Sequence, residues 1–107
     1  MAVVAAFSIS PVGGPAATAD GSVGLAVAEV VRIVRQSGLP NETNAMFTNV
    51  EGTLDEVFAL IKQCIDHMAS IAPRVSVVVK LDIRPGHVDA MHAKVASLER
   101  SVADETP

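Results

Sequence analysis

From Val75 to Arg84 the chain alternates without a break: Val75, Val77, Val79, Leu81 and Ile83 are apolar, with Ser76, Val78, Lys80, Asp82 and Arg84 between them. Successive side chains of an extended strand point to opposite faces, so this pattern requires a β-strand with one wholly apolar side. Arg84-Pro85-Gly86 closes it. The rest of the chain must supply neighbours for this strand and a layer to cover its apolar face.

A second strand is expected at the N-terminus, where Val3, Ala5, Phe7 and Ile9 alternate with Val4, Ala6, Ser8 and Ser10. Pro11 and Gly13-Gly14-Pro15 read as its end, and an Ala/Gly-rich loop runs to Gly21. Ser22 is placed to cap a helix whose Val23, Val27, Val30, Val31 and Val34 recur at helical spacing, opposite Glu29, Arg32 and Gln36. Gly38 and Pro40 stop that helix. Asn41–Met46 and Thr48–Gly52 read as two short strands joined by a tight turn near Phe47. Thr53 and Glu56 have the spacing of a capping box, in which each side chain satisfies a free N–H at a helix start. The apolar stripe of that helix is Val57, Leu60, Ile61, Cys64, Ile65 and Met68, and Pro73 forbids its continuation. A last helix is expected from about Val88 to Val102, carrying Met91, Val95, Leu98 and Val102.

The order βαββαβ plus an extra C-terminal helix predicts an α+β, ferredoxin-like domain over residues 1–103 with a short tail at 104–107. Its four-stranded antiparallel sheet should have the first and third strands at the centre. Helices would cover the side of Val3, Phe7, Val50, Val77 and Leu81, leaving Val4, Ala6 and Val78 among Ser8, Ser10, Asn49, Glu51 and Lys80 on the other face. A wetted valine row forfeits about 25 cal/mol per Å² that could be buried, so that face predicts a partner subunit or a ligand.

Several function classes are excluded by composition and motif. A net charge of −4 without a Lys/Arg cluster argues against nucleic acid, whose phosphates need a basic footprint. No apolar run approaches the length of a membrane span. Met1–Ile9 is apolar and Ala17-Thr18-Ala19 imitates a signal-peptidase site, but no Lys or Arg precedes the apolar run, so a cytoplasmic location is expected. The sequon Asn41-Glu42-Thr43 is then a coincidence. The single cysteine, Cys64, reads as a small core residue. His67, His87, Asp89 and His92 match no metal-ligand spacing on one helical face, so no metal is expected. No nucleophile stands with a base, so neither catalysis nor a cofactor is expected.

The segment Asn44-Ala-Met-Phe-Thr-Asn-Val-Glu-Gly52 sets a carboxylate and amides inside an apolar sheet sequence. Together with Phe7-Ser-Ile-Ser-Pro-Val-Gly13, Ser22 before Val27-Ala-Glu-Val-Val31, Asp55-Glu56-Val57 and Lys80-Leu-Asp-Ile-Arg84, the motif Met46-x-Thr48-x-Val50-Glu51-Gly52 resembles the small thiamine-binding protein family. The resemblance extends in order from Ala6 to about Val102. It implies a ferredoxin-like homo-oligomer, a dimer or commonly a tetramer, that binds thiamine or its hydroxymethylpyrimidine moiety without catalysing a reaction. Two features depart from the family: Phe47 stands where glycine is usual, and the loop Gly14–Gly21 is longer.

Thiamine offers a cationic thiazolium, an aminopyrimidine and a terminal hydroxyl. Glu51 suits the amino group or the cation, while Ser8, Ser10, Asn44, Thr48 and Asn49 suit neutral hydrogen bonds. Ser22 joins this set, and Phe47 either stacks on the pyrimidine or fills the pocket. Ser10 and Thr48 should be close if the first and third strands pair antiparallel. Two alternatives stand beside this one. The chain could be a regulatory or structural homo-oligomer without a ligand, or a cofactor-free oxygenase or isomerase, which would need a titratable group in its pocket.

Overall fold

In a computed structural model, which describes residues 2–14, 24–86 and 90–105, the alternating segment forms an edge strand. In chain order the elements are β1 (Ala2–Val12), α1 (Gly24–Gln36), β2 (Asn41–Thr43), β3 (Thr48–Gly52), α2 (Leu54–Ile71), β4 (Arg74–Arg84) and α3 (Ala90–Glu105). The strands form one antiparallel sheet in the order β2-β3-β1-β4, so β1 and β3 are central as the pattern requires. This is the ferredoxin-like α+β arrangement with its additional C-terminal helix.

β1 does not stop at Pro11 but continues to Val12, with Pro11 opposite Val75. Hydrogen-bond phase explains the tolerance. Glu51 donates its N–H to the Pro40 carbonyl, on the β2 side. Thr48, Val50 and Gly52 therefore turn their backbone groups toward β1, where Phe7, Ala5 and Val3 meet them. Continuing the alternation, Ile9 and Pro11 face the β3 side, where β3 has already ended. A residue without an N–H costs no ladder bond there.

The core lies between the sheet and the pair α1/α2. Val3, Phe7, Val34, Val50, Val57, Cys64 and Met68 are fully buried, each such side chain contributing about 1.5–3 kcal/mol for the larger apolar ones. Burial pushes the Cys64 thiol up to about 11. Within α1 the buried face is Ala26, Val30 and Val34, rotated from the expected stripe, so that Val27 and Val31 lie at its margin. The α2 capping box forms as expected: Glu56 N–H to Thr53 Oγ1 at 3.2 Å and Thr53 N–H to Glu56 Oε1 at 2.9 Å. His67 Nε2 meets Glu29 Oε2 at 2.7 Å and ties α2 to α1.

Two further boundaries differ from expectation. The turn takes Asn44–Phe47, shortening β2 to Asn41–Thr43, and α3 runs to Glu105, into the expected tail. The face opposite α1/α2 is also not open throughout. Its Val4, Ala6, Asn49, Lys80 and Asp82 share a cavity of about 230 Å³ with Lys94 and Val95 of α3, which lies over them. Lys94 pairs with Asp82 there, and Arg84 Nε lies 3.8 Å from the same carboxylate.

Candidate ligand-binding site

β1 and β4 pair along their full lengths, whereas β3 ends opposite Phe7. The mismatch leaves Ser8, Ile9 and Ser10 with a strand on one side only. The Asn44–Phe47 turn and α1 close around this gap and enclose a cavity of about 210 Å³. Its floor is Phe7 to Ser10 and Thr48, its roof Val27 and Val30 of α1, and its rim Thr43 to Phe47.

The rim is built by Asn44. Its Oδ1 accepts the N–H groups of Met46 at 2.9 Å and Phe47 at 2.8 Å, and its own N–H donates to the Phe47 carbonyl at 2.9 Å. Asparagine favours such turns because its side chain reproduces a backbone acceptor. The loop is thus pinned from both ends, with Phe47 half-buried in the cavity wall and Met46 projecting to solvent.

The phase that tolerates Pro11 also directs both the N–H and the C=O of Ile9 into the gap. Among the described residues no backbone group bonds them from that side. The cavity therefore offers a neighbouring donor and acceptor from the main chain, an aromatic ring at Phe47, and hydroxyls at Thr43 and Thr48, with Ser8 and Ser10 bordering it from strand β1. No ionisable side chain lines it among the described residues. A ligand seated here would meet neutral hydrogen-bonding groups and apolar contact.

The structure separates the residues proposed from sequence into two groups. Ser8, Ser10, Asn44, Phe47 and Thr48 line this cavity. Asn49 and Glu51 do not, because side chains alternate along β3: Thr48 pairs with Phe7 on the helix-covered side, while Asn49 pairs with Ala6 and Glu51 with Val4 on the α3 side. Asn49 Nδ2 contacts the Glu42 carbonyl at 3.4 Å, and Glu51 is buried. Ser10 and Thr48 do border one cavity, although Ser10 pairs with Ser76 and its side chain has the opposite phase. Ser22, His87, Asp89 and most of the Gly14–Gly21 loop lie outside the described residues, as does the side chain of His92. Among the described residues there is no metal-binding group of three, and no helix is long and apolar enough to cross a membrane.

The backbone of Ile9 and the wall residues Thr43, Val27 and Val30 were not anticipated from sequence. The only signal for them is the difference between the lengths of β1 and β3, which becomes visible once both strands have a register.

The thiamine-binding protein family model matches residues 5–99. UPF0045 proteins of Mycobacterium bovis and Mycobacterium tuberculosis are each 50% identical over 101 residues, covering 94% of this chain and of the relative. Among solved structures, a hypothetical protein of Methanocaldococcus jannaschii superimposes with a TM-score of 0.78 at 31% identity, over 92% of this chain and 96% of that one. A candidate thiamine biosynthesis/salvage protein of Thermotoga maritima shares the fold, with a TM-score of 0.76 at 19% identity over 92% and 99% of the two chains.

Proposed function

The chain belongs to the thiamine-binding protein family, and from that premise we propose that it binds thiamine through the aminopyrimidine ring, without catalysis, as a cytoplasmic carrier, buffer or salvage component. The observation that carries this reading is the backbone of Ile9, without a strand partner on the β3 side among the described residues, at the floor of a cavity walled by Phe47. An aminopyrimidine has a ring nitrogen that accepts a hydrogen bond beside an exocyclic amine that donates one. The N–H and C=O of one extended residue present the complementary donor and acceptor on one edge. Phe47 supplies a face for the ring, and the Thr43 and Thr48 hydroxyls supply partners for a hydroxymethyl group.

Size supports the same reading. Pockets for drug-sized ligands run to about 300–1,000 Å³, and this cavity holds about 210 Å³. It accommodates one ring, leaving the thiazolium at the mouth, so hydroxymethylpyrimidine and thiamine should bind with similar affinity. The neutral lining favours binding over acid–base chemistry, because no titratable side chain among the described residues reaches the ring.

A homo-oligomer is part of the proposal. Val77, Val78, Val79 and Ile83 on β4, and Val95, Leu98 and Val102 on α3, are exposed apolar side chains on neighbouring elements. They equally favour the second reading, an assembly with no small ligand. Calorimetric titration with thiamine and with hydroxymethylpyrimidine separates the two. Heat from both ligands with similar Kd is expected, whereas no heat and no thermal shift at millimolar ligand would leave only the assembly.

A further inference from the structure

The Ile9 backbone presents its two groups in a fixed order. Along β1 the N–H of an extended residue precedes its C=O, so the donor lies on the Ser8 side and the acceptor on the Ser10 side. A ring whose nitrogen accepts from that N–H while its exocyclic amine donates to that C=O is carried toward Ser8 and Phe7, over the cavity floor and up to Thr48. A ring with the two groups exchanged is carried the other way, toward Pro11, which does not line the cavity. The order thus selects an edge, a ring nitrogen beside an amine, and not a pyrimidine as such. Phe47 offers its face to any flat ring, and no ionisable side chain lines the cavity among the described residues.

We propose that the cavity also binds adenine, in competition with hydroxymethylpyrimidine. This rests on the reading above, in which the Ile9 backbone and Phe47 recognise an aminopyrimidine. Adenine contains the same edge: its N1 accepts and its 6-amino group donates, side by side and in the same order. The two molecules have the same number of non-hydrogen atoms, so a cavity of about 210 Å³ that admits one admits the other. The second ring of adenine, fused on the side away from Ile9, points to the rim, where Thr43 brings a hydroxyl able to donate to a ring nitrogen. Hypoxanthine has nearly the shape of adenine but exchanges the two groups, an N–H at N1 beside a carbonyl, and the order of the Ile9 pair turns it away. Position 9 also allows the donor to be deleted. Proline there costs no ladder bond, for the reason that Pro11 is tolerated: β3 has ended on that side. The Ile9 side chain is buried, so Ile9→Ala is the reference for its loss.

Isothermal titration of wild type, Ile9→Ala and Ile9→Pro with adenine, hypoxanthine, N6,N6-dimethyladenine and hydroxymethylpyrimidine tests this. Adenine should bind wild type and be displaced competitively by hydroxymethylpyrimidine. Hypoxanthine and dimethyladenine, with the amine donor misplaced or absent, should bind at least about tenfold more weakly than adenine. Ile9→Pro should bind both adenine and hydroxymethylpyrimidine about fivefold more weakly than Ile9→Ala, the loss of one neutral hydrogen bond. Where circular dichroism shows Ile9→Pro unfolded, the two purine analogues on wild type decide alone. No heat with adenine where hydroxymethylpyrimidine binds, hypoxanthine binding as tightly as adenine, simultaneous binding of adenine and hydroxymethylpyrimidine, or equal affinities of folded Ile9→Pro and Ile9→Ala would each overturn the proposal. The first of these leaves the aminopyrimidine reading standing, whereas no heat with hydroxymethylpyrimidine as well removes both.

Discussion

Removing the Phe47 ring tests the proposed site most directly, because the structure leaves the sign of the effect to the ligand geometry. Phe47→Ala takes away a half-buried ring on the cavity wall while sparing the turn that carries it. That turn is held by the Asn44 side chain and by backbone groups of Asn44, Met46 and Phe47, none of which the substitution removes. The cost to folding should therefore be a fraction of a buried side chain's, about 1 kcal/mol. Stacking of a base on an aromatic ring contributes about 1–3 kcal/mol. At 1.4 kcal/mol per tenfold, thiamine and hydroxymethylpyrimidine should both bind about 5- to 150-fold more weakly. Isothermal titration of both ligands against wild type, Phe47→Ala and Phe47→Tyr measures this, the tyrosine retaining most of the affinity. The two ligands should lose the same factor, since the ring meets only their shared pyrimidine. Unchanged or tighter binding by Phe47→Ala would mean that the ring plugs the cavity, and the stacking assignment would be wrong.

Three further substitutions probe other parts of the fold. Glu51→Gln should leave ligand affinity within about twofold, because Glu51 is buried beside Val4 and does not border the cavity; a tenfold loss in the same titration would move the site to the α3 side of the sheet. Met68→Ala empties a fully buried core position and should lower the urea-unfolding free energy by about 2–5 kcal/mol, with a loss under 1 kcal/mol contradicting the packing described. Asp82 links α3 to the sheet, and the hydrogen bond from the Lys94 ammonium holds its carboxyl below the usual carboxylate range. A depressed carboxylate contributes fully above its unfolded pKa and loses that contribution as pH falls through the lower folded value. Amide exchange across α3 should therefore quicken below about pH 4, and Asp82→Asn should quicken it at pH 7. Equal protection in wild type and variant at neutral pH would show that α3 is docked by other contacts.

Much of the fold was legible because two periods carry it. Alternation identified β1, β3 and β4, and the Thr53/Glu56 capping box identified the start of α2. The order of elements then left a single economical sheet. What could not be read were relations between elements. Pro11 has the local signature of a strand end, yet it continues β1, because what decides is whether a neighbouring strand needs its N–H. Similarly, α3 carries apolar residues at helical spacing, but nothing in that spacing tells which face of the sheet it covers. The candidate site divided for the same reason. Thr48, Asn49 and Glu51 form one polar cluster along the chain, but a strand sends Thr48 to one side and the other two to the opposite side.

A single mismatch of length accounts for both surfaces on which function is proposed. β1 and β4 are each 11 residues long and pair end to end, while β3 has 5 residues and β2 has 3. On the short side, β1 outruns its neighbour and exposes the Ile9 backbone to a cavity. On the long side, β4 has no neighbouring strand among the described residues and forms the edge of the sheet. A sheet with matched strands would have neither the gap nor so extended an outer edge. Because the two lie on opposite flanks of the same strand pair, the groups that meet a ligand are not those that meet a second copy. Binding and assembly should then be separable by mutation, with Phe47 substitutions altering affinity at constant mass and Val79 substitutions altering mass at constant affinity. Coupling between the two would have to pass through β1 itself, whose buried side chains leave it little room to shift.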